Sequence, residues 1–118
     1  MPILSKIPHH CNDKGSMGVI ENLPHEVKRV YYIYDVPSSN TTRGGHSHKR
    51  NVQSLFCVKG SCVITCNESE SFILDSPSKI LTLFPEDWHQ MTNFSSDAVL
   101  MVLASENYDP NDYVKENT

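Results

Sequence analysis

Short runs of β-branched and aromatic residues, each followed by a turn-forming cluster, limit most strongly what this chain can fold into. Such runs cover residues 27–36 (ending before Pro37), 52–58, 61–66, 72–74, 80–84 and 98–104. Proline, asparagine, aspartate and serine separate them. Strands of this length at this spacing are typical of an antiparallel sandwich or barrel. Only the tail, residues 111–117, shows any helical period, so we predict an all-β protein.

The length and charge of the chain restrict its classes of function. Its 118 residues suffice for one hydrophobic core but not for two, so we predict a single domain over residues 1–118. The formal net charge of -4 argues against nucleic acid as a partner, because no basic excess is available to neutralise phosphates. No apolar run approaches the roughly 20 residues of a membrane helix, and the first residues lack a signal-peptide pattern. We therefore expect a cytoplasmic protein with no membrane partner.

The four cysteines are expected to be free thiols, because the cytoplasm keeps thiols reduced. None of them lies in a CxxC pair, which argues against a zinc knuckle. Lys59 and Gly60 are predicted to form a two-residue hairpin turn, which would bring Cys57 opposite Cys62. A disulfide between these two residues is the alternative.

The stretch RGGHSHK, residues 43–49, contains the strongest candidates for chemistry. In an extended segment His46 and His48 point to the same face. With His89 they could bind zinc or iron, but Lys49 and Arg50 would repel a dication, and no carboxylate follows nearby. Neutral imidazoles can instead move protons near pH 7 without any metal. A polar loop that merely contains two histidines is the third interpretation.

The tyrosine-rich run adds a phenol to these candidates. Tyr32 and Tyr34 share one face of the predicted strand, while Tyr31 and Ile33 share the other. We predict that Tyr31 and Ile33 face the core. Tyr34 could then hydrogen-bond to a substrate oxygen or relay a proton, or it could be a half-buried strand aromatic.

Cationic side chains cluster near the same region, and most are expected to be solvated surface charges. Arg43 is the exception, because it flanks two glycines and lies three residues before His46. Its planar guanidinium could donate two hydrogen bonds to phosphate oxygens. Trp88, the only tryptophan, is either a pocket wall or a core residue.

Several ordered blocks between about residues 14 and 113 resemble the sugar 3,4-ketoisomerases, small cupins that act on dTDP-4-keto-6-deoxyglucose. These blocks are RVYYIYDVP at residues 29–37, RGGHSHK at 43–49, PEDW at 85–88 and FSSDAVLMVLASE at 94–106, followed by Tyr108, Asp112 and Tyr113. The resemblance implies a jelly-roll β-barrel or sandwich, a homodimer, and an isomerase that needs no metal and no cofactor. Its product would be a dTDP-3-keto-6-deoxyhexose that an aminotransferase and an acetyltransferase convert into a 3-acetamido-3,6-dideoxyhexose for surface glycans.

The resemblance also implies roles for individual residues. His48 is expected to be the catalytic base, with His46 and Tyr34 as its partners in the active site. Arg43 matches the family arginine of the same motif and is expected to contact the diphosphate or the sugar. The other residues expected to bind substrate are Lys14, Arg29, His89 and Trp88.

Two positions depart from or vary within the family pattern. The family tends to have Asp-x-Arg-Gly near the N-terminus, whereas Asn12-Asp-Lys-Gly15 stands here, and Lys14 lacks the fork geometry of arginine. His89 follows the tryptophan and could protonate C4 from the face opposite His48, which favours the galacto product. A metal-dependent cupin such as a dioxygenase, and a nucleotide-sugar binding module without catalysis, are the alternatives.

Overall fold

The fold, seen in a computed structural model that describes residues 1–115, consists almost entirely of antiparallel strands. A 3₁₀ helix at Pro110–Asp112 is the only helix among the described residues, and none there is long and apolar enough to span a membrane. The strands are β1 (Ile3–Lys6), β2 (His9–Asn12), β3 (Gly15–Gly18), β4 (Arg29–Tyr34), β5 (Arg43–His48), β6 (Gln53–Lys59), β7 (Cys62–Cys66), β8 (Glu70–Leu74), β9 (Lys79–Leu83), β10 (His89–Thr92), β11 (Val99–Ala104) and β12 (Tyr113–Val114).

Two five-stranded sheets enclose the core. The first sheet has the order β1-β9-β6-β11-β4 and the second has the order β12-β5-β10-β7-β8. Strands β2 and β3 form a separate two-stranded hairpin that pairs with neither sheet. Alternate residues of β7 and β11 are buried, as expected for strands with one face on a core. The predicted all-β sandwich is confirmed.

The core consists of aliphatic side chains from the inner faces of both sheets. Leu55, Leu81 and Leu100 come from the first sheet, Ile64 and Leu74 from the second, and all five have 0% exposure. Burying each such side chain stabilises the fold by about 1.5–3 kcal/mol. This packing holds the two sheets rigidly enough to position side chains at the end of the sandwich that contains β4, β5 and β12.

The predicted hairpin over Lys59 and Gly60 is wrong. Strand β6 pairs with β9 and β11, and β7 pairs with β8 and β10, so both edges of each strand are already filled. The chain therefore crosses from one sheet to the other at Gly60, whose φ is +71°. Cys57 and Cys62 nevertheless meet inside the core, with their Sγ atoms 3.6 Å apart, and they are free thiols as predicted.

The sequence patterns also missed β1, β2, β3 and β10, which are strands of four residues each. The predicted helical tail is limited to the 3₁₀ turn, because Tyr113 and Val114 pair with β5 as a strand. Residues 116 and 117 of that predicted helix lie outside the described part of the chain.

Candidate active site

Three imidazoles meet on the inner face of the second sheet. The register of β5 with β10 sets His46 opposite His89, and their ring centroids are 4.9 Å apart. His46 and His48 share a face of β5, as predicted, with centroids 5.0 Å apart. Strand β12 then sets Tyr113 opposite His48, and the Tyr113 ring lies 4.8 Å from His46 and 4.7 Å from His48.

The backbone of β5 comes close to β10 at two glycines. Gly44 and Gly45 both have positive φ, at +86° and +80°. A Cβ at Gly44 would lie 3.2 Å from the backbone oxygen of His89, which is tighter than ordinary van der Waals contact. Glycine is therefore needed here to allow the close approach of β5 to β10.

The His48 ring has one nitrogen bonded and one free. Its Nδ1 lies 3.0 Å from Oδ2 of Asp112, and both side chains are buried. Its Nε2 is buried and has no hydrogen-bond partner among the described residues. Asp112 was part of the family resemblance, but nothing in the sequence pattern showed that it contacts a histidine 64 positions away.

Both ring nitrogens of His89 are engaged by the protein. Nδ1 lies 3.1 Å from the carbonyl oxygen of Asp87, so it carries the proton and donates it. Nε2 lies 3.0 Å from Nε2 of Gln53 and accepts from that amide. The other end of the same amide, Oε1, accepts from the hydroxyl of Tyr31 at 3.2 Å and from Asn51 at 3.4 Å, which fixes its orientation.

Burial keeps all three imidazoles neutral near pH 7. It lowers the pKa of His46 to about 4, helped by the nearby His48 ring. It also lowers the pKa of His89 to about 4. Burial lowers the pKa of His48 as well, although the Asp112 carboxylate partly offsets this effect. Neutral imidazoles can accept protons, which is what base catalysis requires.

A cavity of about 260 Å³ opens beside the imidazole cluster. Two guanidinium groups line it, one from each sheet. The Arg29 side chain lies over the Tyr31 ring, with Cζ 5.0 Å from the centroid, and its Nε is buried with no partner among the described residues. Two arginines in one cavity suit an anionic ligand such as a diphosphate. The polar and sulfur-containing residues of the lining are Arg29, Tyr31, Arg43, His46, Met91 and Tyr113.

The phenols at this cavity are Tyr31 and Tyr113, and Tyr34 is absent from its lining. Tyr31 and Ile33 face inward, as predicted, while Tyr32 and Tyr34 are 59% and 58% exposed on the outer face of the first sheet. The alternation of a strand thus places Tyr34 on the face opposite the histidines, which corrects its expected place beside them. Burial raises the pKa of Tyr31 to about 12, so its hydroxyl stays protonated and serves as a donor.

Two other predicted residues lie away from this cavity. Lys14 is exposed on the β2–β3 hairpin and lines a separate depression with His10 and Met17. Trp88 is half-buried and is not part of the cavity lining; a Cβ at Gly45 would lie 4.0 Å from its Cζ2. The structure therefore brings together His46, His48, His89, Arg29 and Arg43, and it leaves Lys14 remote from them within one chain.

The three histidines do not present a ready-made metal site. One nitrogen from each lies within 4.8 Å of the others, which is close enough to share an ion. However, the Nε2 lone pair of His89 already accepts a hydrogen bond from Gln53, and its Nδ1 proton is donated to a backbone carbonyl. A metal would have to displace the Gln53 amide, and among residues 1–115 the cluster contains no carboxylate ligand.

A two-sheet antiparallel sandwich, with buried imidazoles and two arginines at one end, defines a cupin-type protein. Residues 2–118 match the family described as "FdtA: WxcM-like, C-terminal", and the chain belongs to that family.

Three relatives illustrate the similarity. The chain is 42% identical over 111 residues to the TDP-4-oxo-6-deoxy-α-D-glucose-3,4-oxoisomerase of Aneurinibacillus thermoaerophilus, covering 89% of this chain and 79% of that protein. A 3,4-ketoisomerase from Helicobacter canadensis superposes with a TM-score of 0.91 at 36% identity, covering 98% and 90%. An asparagine-for-histidine mutant of the 3,4-ketoisomerase QdtA from Thermoanaerobacterium thermosaccharolyticum, in complex with TDP-4-keto-6-deoxyglucose, superposes with 0.86 at 37% identity, covering 98% and 87%.

Proposed function

We propose that this protein is a 3,4-ketoisomerase that converts dTDP-4-keto-6-deoxyglucose into the corresponding 3-keto sugar. The observation that carries the proposal is the pairing of a neutral imidazole that has an unpartnered Nε2, His48, with an adjacent cavity that contains two arginines. The relatives named as 3,4-oxo- or 3,4-ketoisomerases support the same substrate class.

The reaction needs only proton transfers. The C4 ketone acidifies the C3 hydrogen, and Nε2 of His48 removes it to give an enediolate. The enediolate takes up a proton at O4 to give the neutral enediol, which then loses the proton of the C3 hydroxyl and gains a proton at C4. Arg29 and Arg43 would hold the diphosphate, and the hydroxyls of Tyr31 and Tyr113 belong to residues that line the same cavity. No redox cofactor enters the balance, because the substrate and the product are isomers.

His46 lines the cavity directly, whereas His48 lies behind it with 7% exposure. The Tyr113 ring contacts both imidazoles, so we propose that it moves when the sugar reaches Nε2 of His48. His48 remains the assigned base because it alone of the three histidines is bonded to a carboxylate among the described residues.

The homodimer is also part of the proposal. The β2–β3 hairpin pairs with neither sheet of its own chain, and isolated two-stranded hairpins are only marginally stable in water. Val30, Tyr32 and Tyr34 form an exposed apolar stripe on the outer face of β4. A second copy of the chain that covers these surfaces would explain the unpaired hairpin and the exposed stripe. In such a dimer, Lys14 would reach the pocket of the second copy. Light scattering coupled to size-exclusion chromatography would give the mass directly.

Three finer points stay predictions. The galacto configuration at C4 depends on protonation by His89, whose Nε2 must first exchange its hydrogen bond with Gln53. The cytoplasmic location and the role in a surface glycan that contains a 3-acetamido-3,6-dideoxyhexose depend on the family resemblance alone.

Proton NMR of dTDP-4-keto-6-deoxyglucose with the protein, in D2O containing a chelator, tests the activity. We expect a 3-keto sugar with deuterium at C4, and the couplings of the ring protons will give the C4 configuration. His48→Asn should lower turnover by about 10²–10⁴-fold while TDP binding persists. His25→Asn, which changes a histidine that lies outside the cavity lining, is the matched control.

The alternatives make different predictions for the same samples. Loss of activity on chelation and its return with iron would indicate the metal-dependent cupin. Saturable binding of the nucleotide sugar by folded protein without any turnover would indicate the binding module.

A further inference from the structure

The carboxylate of Asp112 is completely satisfied by groups around the His48 turn. Oδ1 accepts the backbone N–H of Arg50 at 2.7 Å. Oδ2 accepts the backbone N–H of Asn51 at 3.3 Å and faces Nδ1 of His48 at 3.0 Å. An ionised carboxylate can only accept, so Nδ1 must be the protonated nitrogen of the His48 ring. The proton-free nitrogen is then Nε2, the one with no partner in the protein.

The carboxylate remains charged although it is buried. Burial by itself raises the pKa of Asp112, but the backbone N–H of Arg50 and the His48 ring lower it, and the net shift is downward. Asp112 in turn raises the pKa of His48, whereas burial and, to a smaller extent, the Arg29 charge lower it. The neighbouring rings of His46, His89 and Tyr113 surround the remaining sides of the imidazole. Asp112 is therefore the one anionic group in contact with this base among the described residues.

The position of Asp112 is fixed by the segment that contains it. Asp109 caps the 3₁₀ helix by accepting the N–H of Asn111 at 2.9 Å, and it also accepts from Nη2 of Arg50 at 2.9 Å. After the helix, Tyr113 pairs with His48 in the β12–β5 ladder. The C-terminal segment is thus attached to Arg50, just after β5, on one side of Asp112 and to β5 itself on the other, which leaves the carboxylate little freedom to move.

We propose that Asp112 is the positioning residue for the base: it fixes the His48 ring in the tautomer that has Nδ1–H turned to the carboxylate and Nε2 available for the substrate proton. This inference rests on the proposed isomerase activity for its kinetic part only. The tautomer itself is a property of the free protein.

Asp112→Asn tests the proposal because it is nearly isosteric. The asparagine oxygen is expected to keep the short bond from Arg50, which turns the amide NH2 toward Nδ1 of His48. The NH2 group can only donate, so the His48 proton would move to Nε2 and block the base. A wrong tautomer of this kind lowers kcat by about 10³–10⁴-fold with a much smaller change in KM. Asp109→Asn is the matched control, because it disturbs the same segment and its bond to Arg50 without touching the ring.

Long-range ¹H–¹⁵N spectra of ¹⁵N-labelled protein at pH 7 provide the readout that a purely structural role would not change. We expect His48 with protonated Nδ1 in wild type and with protonated Nε2 in Asp112→Asn, and kcat near the wild-type value in Asp109→Asn. A wild-type ring protonated on Nε2 would overturn the proposal, as would an Asp112→Asn kcat within about tenfold of wild type.

Parallel losses of activity in both variants, with an unchanged tautomer, would also overturn the proposal and assign Asp112 a stabilising role only. If Asp112→Asn does not fold, the wild-type spectrum alone decides. Wild-type protein without isomerase activity would refute the proposed function, while the spectra would still judge the tautomer.

Discussion

Acid should unfold this protein through its buried imidazoles, and His89 allows the size of the effect to be calculated. Its side chain is 1% exposed, and burial lowers its pKa to about 4 from the ordinary value of 6.5. In the unfolded chain His89 takes up a proton as the pH falls through 6.5, while in the native protein it stays neutral down to about pH 4. The stability that the neutral His89 contributes is therefore fully present above pH 6.5 and is lost progressively between pH 6.5 and pH 4.

Between pH 8 and pH 5 this difference amounts to about 2 kcal/mol for His89 alone. That is a substantial part of the 5–15 kcal/mol that typically holds a domain folded. His46 adds a loss of the same sign, which solvent screening reduces because its ring is only partly buried. Stopping at pH 5 keeps most carboxylates ionised in both states, so the histidines dominate the change.

Urea unfolding at pH 8 and pH 5, at one protein concentration, gives the loss directly. We expect His89→Gln to be less stable than wild type at pH 8 but to lose about 2 kcal/mol less between the two pH values. His10→Gln, on the exposed hairpin, is the matched control and should retain the wild-type loss. If wild type and His89→Gln lose the same stability between pH 8 and pH 5, the burial argument for this imidazole is refuted.

Three further changes test the fold and the pocket. Gly60→Ala should destabilise the protein by about 2–5 kcal/mol, because a Cβ at φ +71° would lie 2.6 Å from Cα of Ala98. Gly15→Ala, at φ +129° with no atom within 4 Å, shares the backbone strain but not the clash and should cost less; equal losses by urea unfolding would contradict the packing explanation. Arg43→Ala should raise the Kd for TDP by about 10–100-fold, because a charge-assisted contact is lost. Calorimetry measures this Kd, with Lys6→Ala at an exposed position as the control, and an unchanged Kd would remove Arg43 from the site. Lys14→Ala should raise KM for the sugar nucleotide with little change in kcat, through the pocket of a second copy; an unchanged KM in steady-state assays would exclude Lys14 from the substrate contacts.

Residue patterns alone predicted six of the twelve strands of the described residues and several side-chain orientations. The run at residues 98–104 became β11, and the run at 27–36 contains β4, with Tyr31 and Ile33 facing inward as its alternation required. Four-residue strands such as β10 escaped prediction because too few residues are present to establish a period. The prediction of a hairpin over Gly60 was wrong, because a turn signal does not show which sheet the next strand joins.

The family resemblance identified His46, His48 and Arg43, and the structure brings all three to one end of the sandwich. It placed Tyr34 beside them, whereas the phenols at the cavity are Tyr31 and Tyr113. A resemblance matches positions along the chain, and it does not report which face of a strand each position occupies.

The sequence by itself determined what is local: the all-β class, the shared face of His46 and His48, and the inward face of β4. These follow from the two-residue period of a strand, which any short stretch displays without help from the rest of the chain. Only the tertiary structure decided which strands became neighbours, and so it alone set His89 opposite His46 and brought Asp112 to His48 across 64 positions. The physical reason is that every strand edge offers the same N–H and C=O groups, so the choice of partner depends on how both sheets pack around one core.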